Sequence, residues 1–274
     1  MIAPPGPPVQ ASRAPAVRVS VERGSLGGMS DETTTPRVAA LDAVVFDVPD
    51  PQVAADFWQR LTGAEVEQQG YGEDWITLNT PDGWSLAFQP APDLVPPRWP
   101  GQEHPQQLHL DLRVPDVAAA VERAVGLGAV VLRENPEWTT LADPAGHPFD
   151  LCHAPDNDGL TIMGLTFDVP DASAAAAFWS GILGDPVVYD AEGMAMLGGD
   201  RALLFQQVEG YSAPRWPDPA YPQQLHLDLQ VGPQSLDEAE ASALAVGARR
   251  LPGGEDTFRV FADPAGHPFC LCAG

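Results

Sequence analysis

The stretches His109-Leu110-Asp111 and His226-Leu227-Asp228 each set an imidazole two residues before a carboxylate inside an apolar run. On a β-strand alternate side chains leave by the same face, so each His stands beside its Asp while the leucines turn the other way. Arg113 continues the first row and Gln230 the second. Such a pair suits two chemistries. An imidazole oriented by a carboxylate can donate a hydrogen bond or take a proton, and both groups can ligate a divalent ion. The same pair also satisfies itself as a buried histidine bonded to its strand neighbour. His109 and His226 are the candidate catalytic residues, and Asp111, Arg113 and Asp228 are candidate ligand-binding neighbours.

A second set of candidates follows a turn that the chain writes twice, ADPAGHPF at 142–149 and again at 262–269. Asp143-Pro144-Ala145-Gly146 has Asp first, Pro second and Gly last, the preferences of a type I turn. His147 and His267 at its end therefore read as structural. Beyond the turn, Phe149 and Leu151 suit a core face, which leaves Asp150 and Cys152 on the face of His109; Cys270 and Cys272 hold the matching positions in the second copy. The residue that changes after the identical turn thus alters a cavity and not the fold. The cysteines read as small buried residues, since no His or Asn pattern of a thiol hydrolase accompanies them. Cys152 and Cys272 remain candidate ligand contacts by position.

The elements that must position these residues form a repeat. FDVPD at 46–50 returns at 167–171, PRWP at 97–100 returns at 214–217, and PQQLHLDL at 105–112 returns at 222–229. The repeat predicts two similar domains, 39–156 and 160–274, joined by the polar HAPDNDG. Inside each domain RVPD or DVPD follows an apolar strand and opens a helix. Asp50 caps the first, Pro51 takes its first position, and Val53, Ala54, Phe57, Trp58 and Leu61 repeat with helical spacing up to Gly63. Asp171 to Gly184 copies that design, Asp116 to about Gly128 forms a third helix, and Ser235 with Glu238 has the spacing of a capping box for a fourth. Short strand-like runs follow each helix. Four strand-helix-strand-strand-strand modules result, with Trp58 and Trp179 on core-spaced helix faces. Trp99 and Trp216 stand in the PRWP loops, where they can close a cavity mouth onto a planar ligand or cover a sheet edge.

Composition narrows the partners. Fourteen Lys and Arg against 38 Asp and Glu give a formal charge of −24, which repels nucleic acid and anionic lipid. No apolar run is long enough to span a bilayer, and three cysteines without an even framework fit a reducing cytoplasm. The expected partner is a small molecule, and the expected assembly is a monomer or homodimer. Residues 1–38, rich in Pro, Gly, Ser and Thr, read as a disordered extension; Met29, followed by a polar run, is an alternative start.

The paired βαβββ modules, with HLDL opening a strand, a VPD helix entry and a closing DPAGHPF hairpin, resemble the vicinal oxygen chelate superfamily. Within it they are most similar to the glyoxalase-like domains of the glyoxalase, bleomycin resistance and dioxygenase type. The resemblance covers residues 39–274 and implies an α+β fold: four βαβββ modules paired into two glyoxalase-like domains with curled mixed sheets, each around a cavity. The modules can pair in order or exchange between halves. In metal-dependent members the ligands come from the first and last strand of each module. Those positions here are Ala43, Ala87, His109 and Asp150, then Gly164, Leu204, His226 and Cys270. Half of them offer no donor; Asp111 and Asp228 could contribute, though they lie a residue pair, some 6 to 7 Å, further along the strand. The expectation is a metal-free cavity that binds a small organic molecule. A divalent metal, if one is bound, would use His109, Asp150, His226 and Cys270 in a lyase or dioxygenase of glyoxalase type. A non-catalytic dimerisation module is the third reading.

Overall fold

The computed structural model describes residues 37–67, 74–218 and 220–274. The expected extension therefore lies, up to residue 36, outside the described residues. The VPD sequences do two jobs at once. β1 (Ala39–Val48) ends as Pro49 arrives, and the Asp50 carboxylate accepts from the amides of Gln52 at 3.0 Å and Val53 at 3.2 Å to start α1 (Pro51–Thr62). Such a cap stabilises a helix by about 1 kcal/mol. Gly63, at φ 78°, closes α1 in the left-handed region that favours glycine. β2 (Glu65–Val66), β3 (Ile76–Asn79) and β4 (Ser85–Pro90) complete module one.

The design recurs three times. Module two holds β5 (Leu108–Val114), α2 (Val117–Gly126), β6 (Val130–Glu134), β7 (Trp138–Ala142) and β8 (Pro148–His153). Module three holds β9 (Thr161–Val169), α3 (Ala172–Leu183), β10 (Val187–Ala191), β11 (Met194–Leu197) and β12 (Leu203–Gln207). Module four holds β13 (Leu225–Val231), α4 (Leu236–Ala245), β14 (Arg249–Glu255), β15 (Phe258–Ala262) and β16 (Pro268–Cys272). The capping box of Ser235 and Glu238 forms as expected.

The modules exchange. One eight-stranded sheet runs β14-β15-β16-β13-β1-β4-β3-β2, and the other runs β10-β11-β12-β9-β5-β8-β7-β6. Within each module the first and last strands are parallel, and the opening strands then pair antiparallel as β1 with β13 and β5 with β9. Connection length explains the choice. The short joint 154–160 keeps modules two and three in one sheet, whereas the longer segments 91–107 and 208–224 carry the chain from one sheet to the other. Neither sheet is confined to one sequence half.

Within each half, packing links the two sheets. Trp58 of α1, fully buried, lies against Phe46 and Phe149, and Trp179 of α3 packs the same way on Phe167 and Phe269. Leu110, Leu112, Phe149 and Leu151 join this core, as strand alternation requires. The repeated turn belongs to it as well. The buried Asp143 carboxylate accepts from the Trp58 indole at 3.1 Å and from the amides of Ala145 and His147, each at 2.9 Å. His147 stands edge-on to Phe46 and faces the core, so its structural assignment holds. Asp263, His267 and Trp179 repeat the arrangement.

Candidate functional site

Register brings the candidate residues together on the face opposite the core. On the second sheet Asp111 of β5 lies opposite Asp150 of β8 on one side and Gly164 of β9 on the other. His109 Nε2 stands 3.8 Å from an Asp111 oxygen and 3.9 Å from an Asp150 oxygen. On the first sheet Asp228 of β13 lies opposite Cys270 of β16 and Ala43 of β1. His226 Nε2 is 3.4 Å from Asp228. The separation expected between His and Asp held for the backbone but not for the side chains, which lean together along the strand. His109, Asp111 and Asp150 form one group, and His226, Asp228 and Cys270 another, with all donor atoms of a group within 4.8 Å of one another.

These groups are buried, and burial sets their protonation. The His109 ring is only 6% exposed; burial alone would lower its pKa, but the carboxylates of Asp111, Asp150 and Asp168 outweigh it and hold it above the ordinary value. His226 is raised for the same reason, against its own burial, by the bond and charge of Asp228 and by Asp47. Burial lifts Asp150 to about 6, partly offset by His109. The thiols of Cys152 and Cys270 are pushed far up by burial and neighbouring carboxylates, and Cys272 to about 12. None of the three is a ready nucleophile.

The sequence reading missed a second layer. Asp47, from β1, accepts from Gln89 at 2.5 Å and Gln223 at 2.9 Å, and the Gln223 amide also reaches His226 Nδ1 at 2.8 Å. Asp47 itself is 3.9 Å from that nitrogen. Asp168 of β9 is held likewise by Gln106 at 3.1 Å and Gln206 at 2.6 Å, while His109 Nδ1 is buried without a partner. The signal was present in part: both aspartates sit in the duplicated FDVPD, and Gln106 and Gln223 in the duplicated PQQ. Each carboxylate enters from the partner module of its sheet, which only the exchanged topology reveals.

The remaining candidates spread along the walls. Cys152 approaches an Asp111 oxygen at 3.7 Å, and Thr166 bonds the other. Arg113 is exposed where β5 ends, level with Cys152. Trp216 packs on Leu251, Val260, Ala262 and Cys270, over the strands of module four, and Trp99 lies 4.4 Å beneath the Arg133 guanidinium. Both loops carry a cis Trp-Pro bond.

A family model described as a glyoxalase-like domain matches residues 43–152 and again 164–272. The chain belongs to that family, in two copies. Solved glyoxalase-like structures share its architecture. Glyoxalase I from Zea mays, 15% identical, superposes with a TM-score of 0.59 over 85% of this chain and 92% of its own. A putative dioxygenase from Bacillus subtilis, 14% identical, gives 0.55 over 86% of each chain. At such identities the likeness is one of fold. No curated protein matches the sequence. Among the described residues, no helix of this glyoxalase-like chain is long and apolar enough to cross a membrane.

The first- and last-strand positions of the tandem glyoxalase-like chain divide unevenly within each site. The second sheet joins His109 and Asp150 to Gly164 and Leu204; the first joins His226 and Cys270 to Ala43 and Ala87. The polar half comes from one module and the apolar half from the other. Gly164 is there for space, since a Cβ would come within 2.3 Å of Leu204 Cδ1 and 2.8 Å of the Ala202 carbonyl.

Proposed function

We propose that the chain binds a small oxygen-bearing organic molecule on its concave faces, with a divalent ion held by His109, Asp111 and Asp150 at the centre of the second sheet. One observation carries this reading: two buried donors, His109 and Asp111, and the half-buried Asp150 converge within 4.8 Å, two carboxylates to one imidazole. The donor separations of 3.8 and 3.9 Å lie within the roughly 4.2 Å that two ligands at about 2.1 Å can span and exceed the roughly 3.4 Å of a tetrahedral pair, so the side chains would draw together around an ion. Three protein donors match the ligand count of catalytic sites. Asp111, which resemblance alone does not mark as a ligand, supplies the third.

Such an ion supplies Lewis acidity, polarising an oxygen of the bound molecule. The chain does the rest. Thr166 and Cys152 fix the Asp111 carboxylate, and Leu204 with Gly164 gives an apolar wall for the organic part. Arg113 at the rim offers a charge to an anionic substituent. On the first sheet, His226 Nδ1 accepts from the Gln223 amide at 2.8 Å, with Asp47 3.9 Å away; an ion on Nε2 would need that amide turned so that its oxygen takes the Nδ1 proton.

A metal-free pocket is the competing reading, favoured by Ala43, Ala87, Gly164 and Leu204 at positions where metal-dependent members carry ligands. Calorimetric titration of chelator-treated protein with Mn²⁺ separates the two. Saturable binding that Asp150→Ala abolishes supports the metal site; no heat above dilution leaves the metal-free pocket.

A further inference from the structure

The two sites are copies in all but one donor. His109 matches His226, Asp111 matches Asp228, and the third donor at the paired register position is the carboxylate of Asp150 in one and the thiol of Cys270 in the other. The backbone frame of that position is the same in both: the same turn precedes it, and the same type of parallel strand pair carries it. The exchange therefore alters donor chemistry without altering geometry.

Donor softness decides which ion a site takes. Imidazole, common to both sites, suits borderline ions; a second carboxylate shifts the preference toward Mn²⁺ and similar hard ions, while a thiolate shifts it toward borderline and soft ions such as Zn²⁺, Co²⁺ and Cd²⁺. The surroundings reinforce the contrast. Cys270 lies with Cys272 in an apolar group of Leu251, Val260 and Ala262 under Trp216. Where this site has Val260 and Val45 beside Cys270 and His226, the other has the buried hydroxyls of Thr140 and Thr166 beside Asp150 and His109.

We infer that the chain holds two different classes of divalent ion, a hard one at His109, Asp111 and Asp150 and a thiophilic one at His226, Asp228 and Cys270. This rests on the metal-binding reading given above. Binding at the second site replaces the Cys270 S–H by an S–metal bond and releases that proton to solvent, with no change of oxidation state.

Co²⁺ titration of the chelator-treated full chain tests it, because only sulfur ligation gives an intense near-ultraviolet charge-transfer band. The wild type is expected to show the band. Cys270→Ser should lose it while still binding Co²⁺ at the other site by dialysis and elemental analysis. Asp150→Cys, the reciprocal exchange, should add a second band. Co²⁺ bound without the band, or a band that survives Cys270→Ser, overturns the inference and leaves the metal reading intact. If no Co²⁺ or Mn²⁺ is retained at all, the metal reading falls and takes the inference with it.

Discussion

Removing the Asp143 carboxylate should show how strongly the repeated turn ties the fold together. In Asp143→Ala four groups lose their partner: the Ala145 amide, the His147 amide, the Trp58 indole and the His147 ring Nδ1. Ala145 is only partly buried and can turn to water, so three buried groups carry the loss. Each unsatisfied buried group costs about 1–3 kcal/mol, which gives roughly 5 kcal/mol for the three. In a unit of this size that corresponds to a fall in Tm of about 15 °C. Asp143→Asn keeps an acceptor and should lose less than half as much. Urea denaturation followed by tryptophan fluorescence measures both. The pH dependence gives an independent reading. Burial pushes the Asp143 pKa up, but His147 and the Trp58 bond outweigh it and hold the carboxyl below its ordinary 3.8. A carboxyl depressed on folding adds stability above its unfolded pKa and loses it as pH falls through the folded one. The gap between wild type and Asp143→Ala should therefore narrow in acid. A loss under 1 kcal/mol at neutral pH would refute the reasoning, since the turn would then be held by its backbone alone.

Three further outcomes follow from the sites. Gly164→Ala should cost about 1–3 kcal/mol through overpacking, and Leu204→Ala should not rescue it, because the Ala202 carbonyl still blocks the added methyl; chemical denaturation of the single and double variants checks this. In chelator-treated protein Asp150, raised to about 6 from 3.8, binds protons more tightly folded than unfolded. Stability should then decline by up to ~3 kcal/mol as pH rises from about 4 through 6, and Asp150→Asn should flatten that slope in thermal melts. Asp47→Asn should weaken an ion at the His226 site by about 10–100-fold while leaving the His109 site unchanged, as read by competitive dialysis with Zn²⁺.

Much of the fold was legible because it is written in local terms. The Asp50, Asp116 and Asp171 caps, Pro51, Gly63 and the capping box of Ser235 are short-range signals, and strand alternation placed His109 and Asp150 on one face without knowledge of their partners. The exchange of modules was not legible in that way, since it depends on which strands meet across 150 residues or more. Its one sequence trace is the contrast between the short joint 154–160 and the long PRWP segments. For the same reason Asp47 and Asp168 went unnoticed as site residues: their role in opening a helix at VPD was sufficient to explain the motif, and the histidines they face belong to other modules. The pairing of Asp111 with His109 was legible from strand alternation, but its closeness was not, because spacing along a strand fixes Cα positions and not the lean of side chains.

The central claim is that Asp111 and Asp228 turn two incomplete ligand sets into complete ones. Metal content of protein grown with Mn²⁺ and Zn²⁺ and purified without chelator, compared between wild type, Asp111→Ala and Asp228→Ala, tests it most directly. The account expects an ion at each site of the wild type and loss of the corresponding one in each variant. Wild-type protein without stoichiometric metal, or variants that keep the full content, would contradict it.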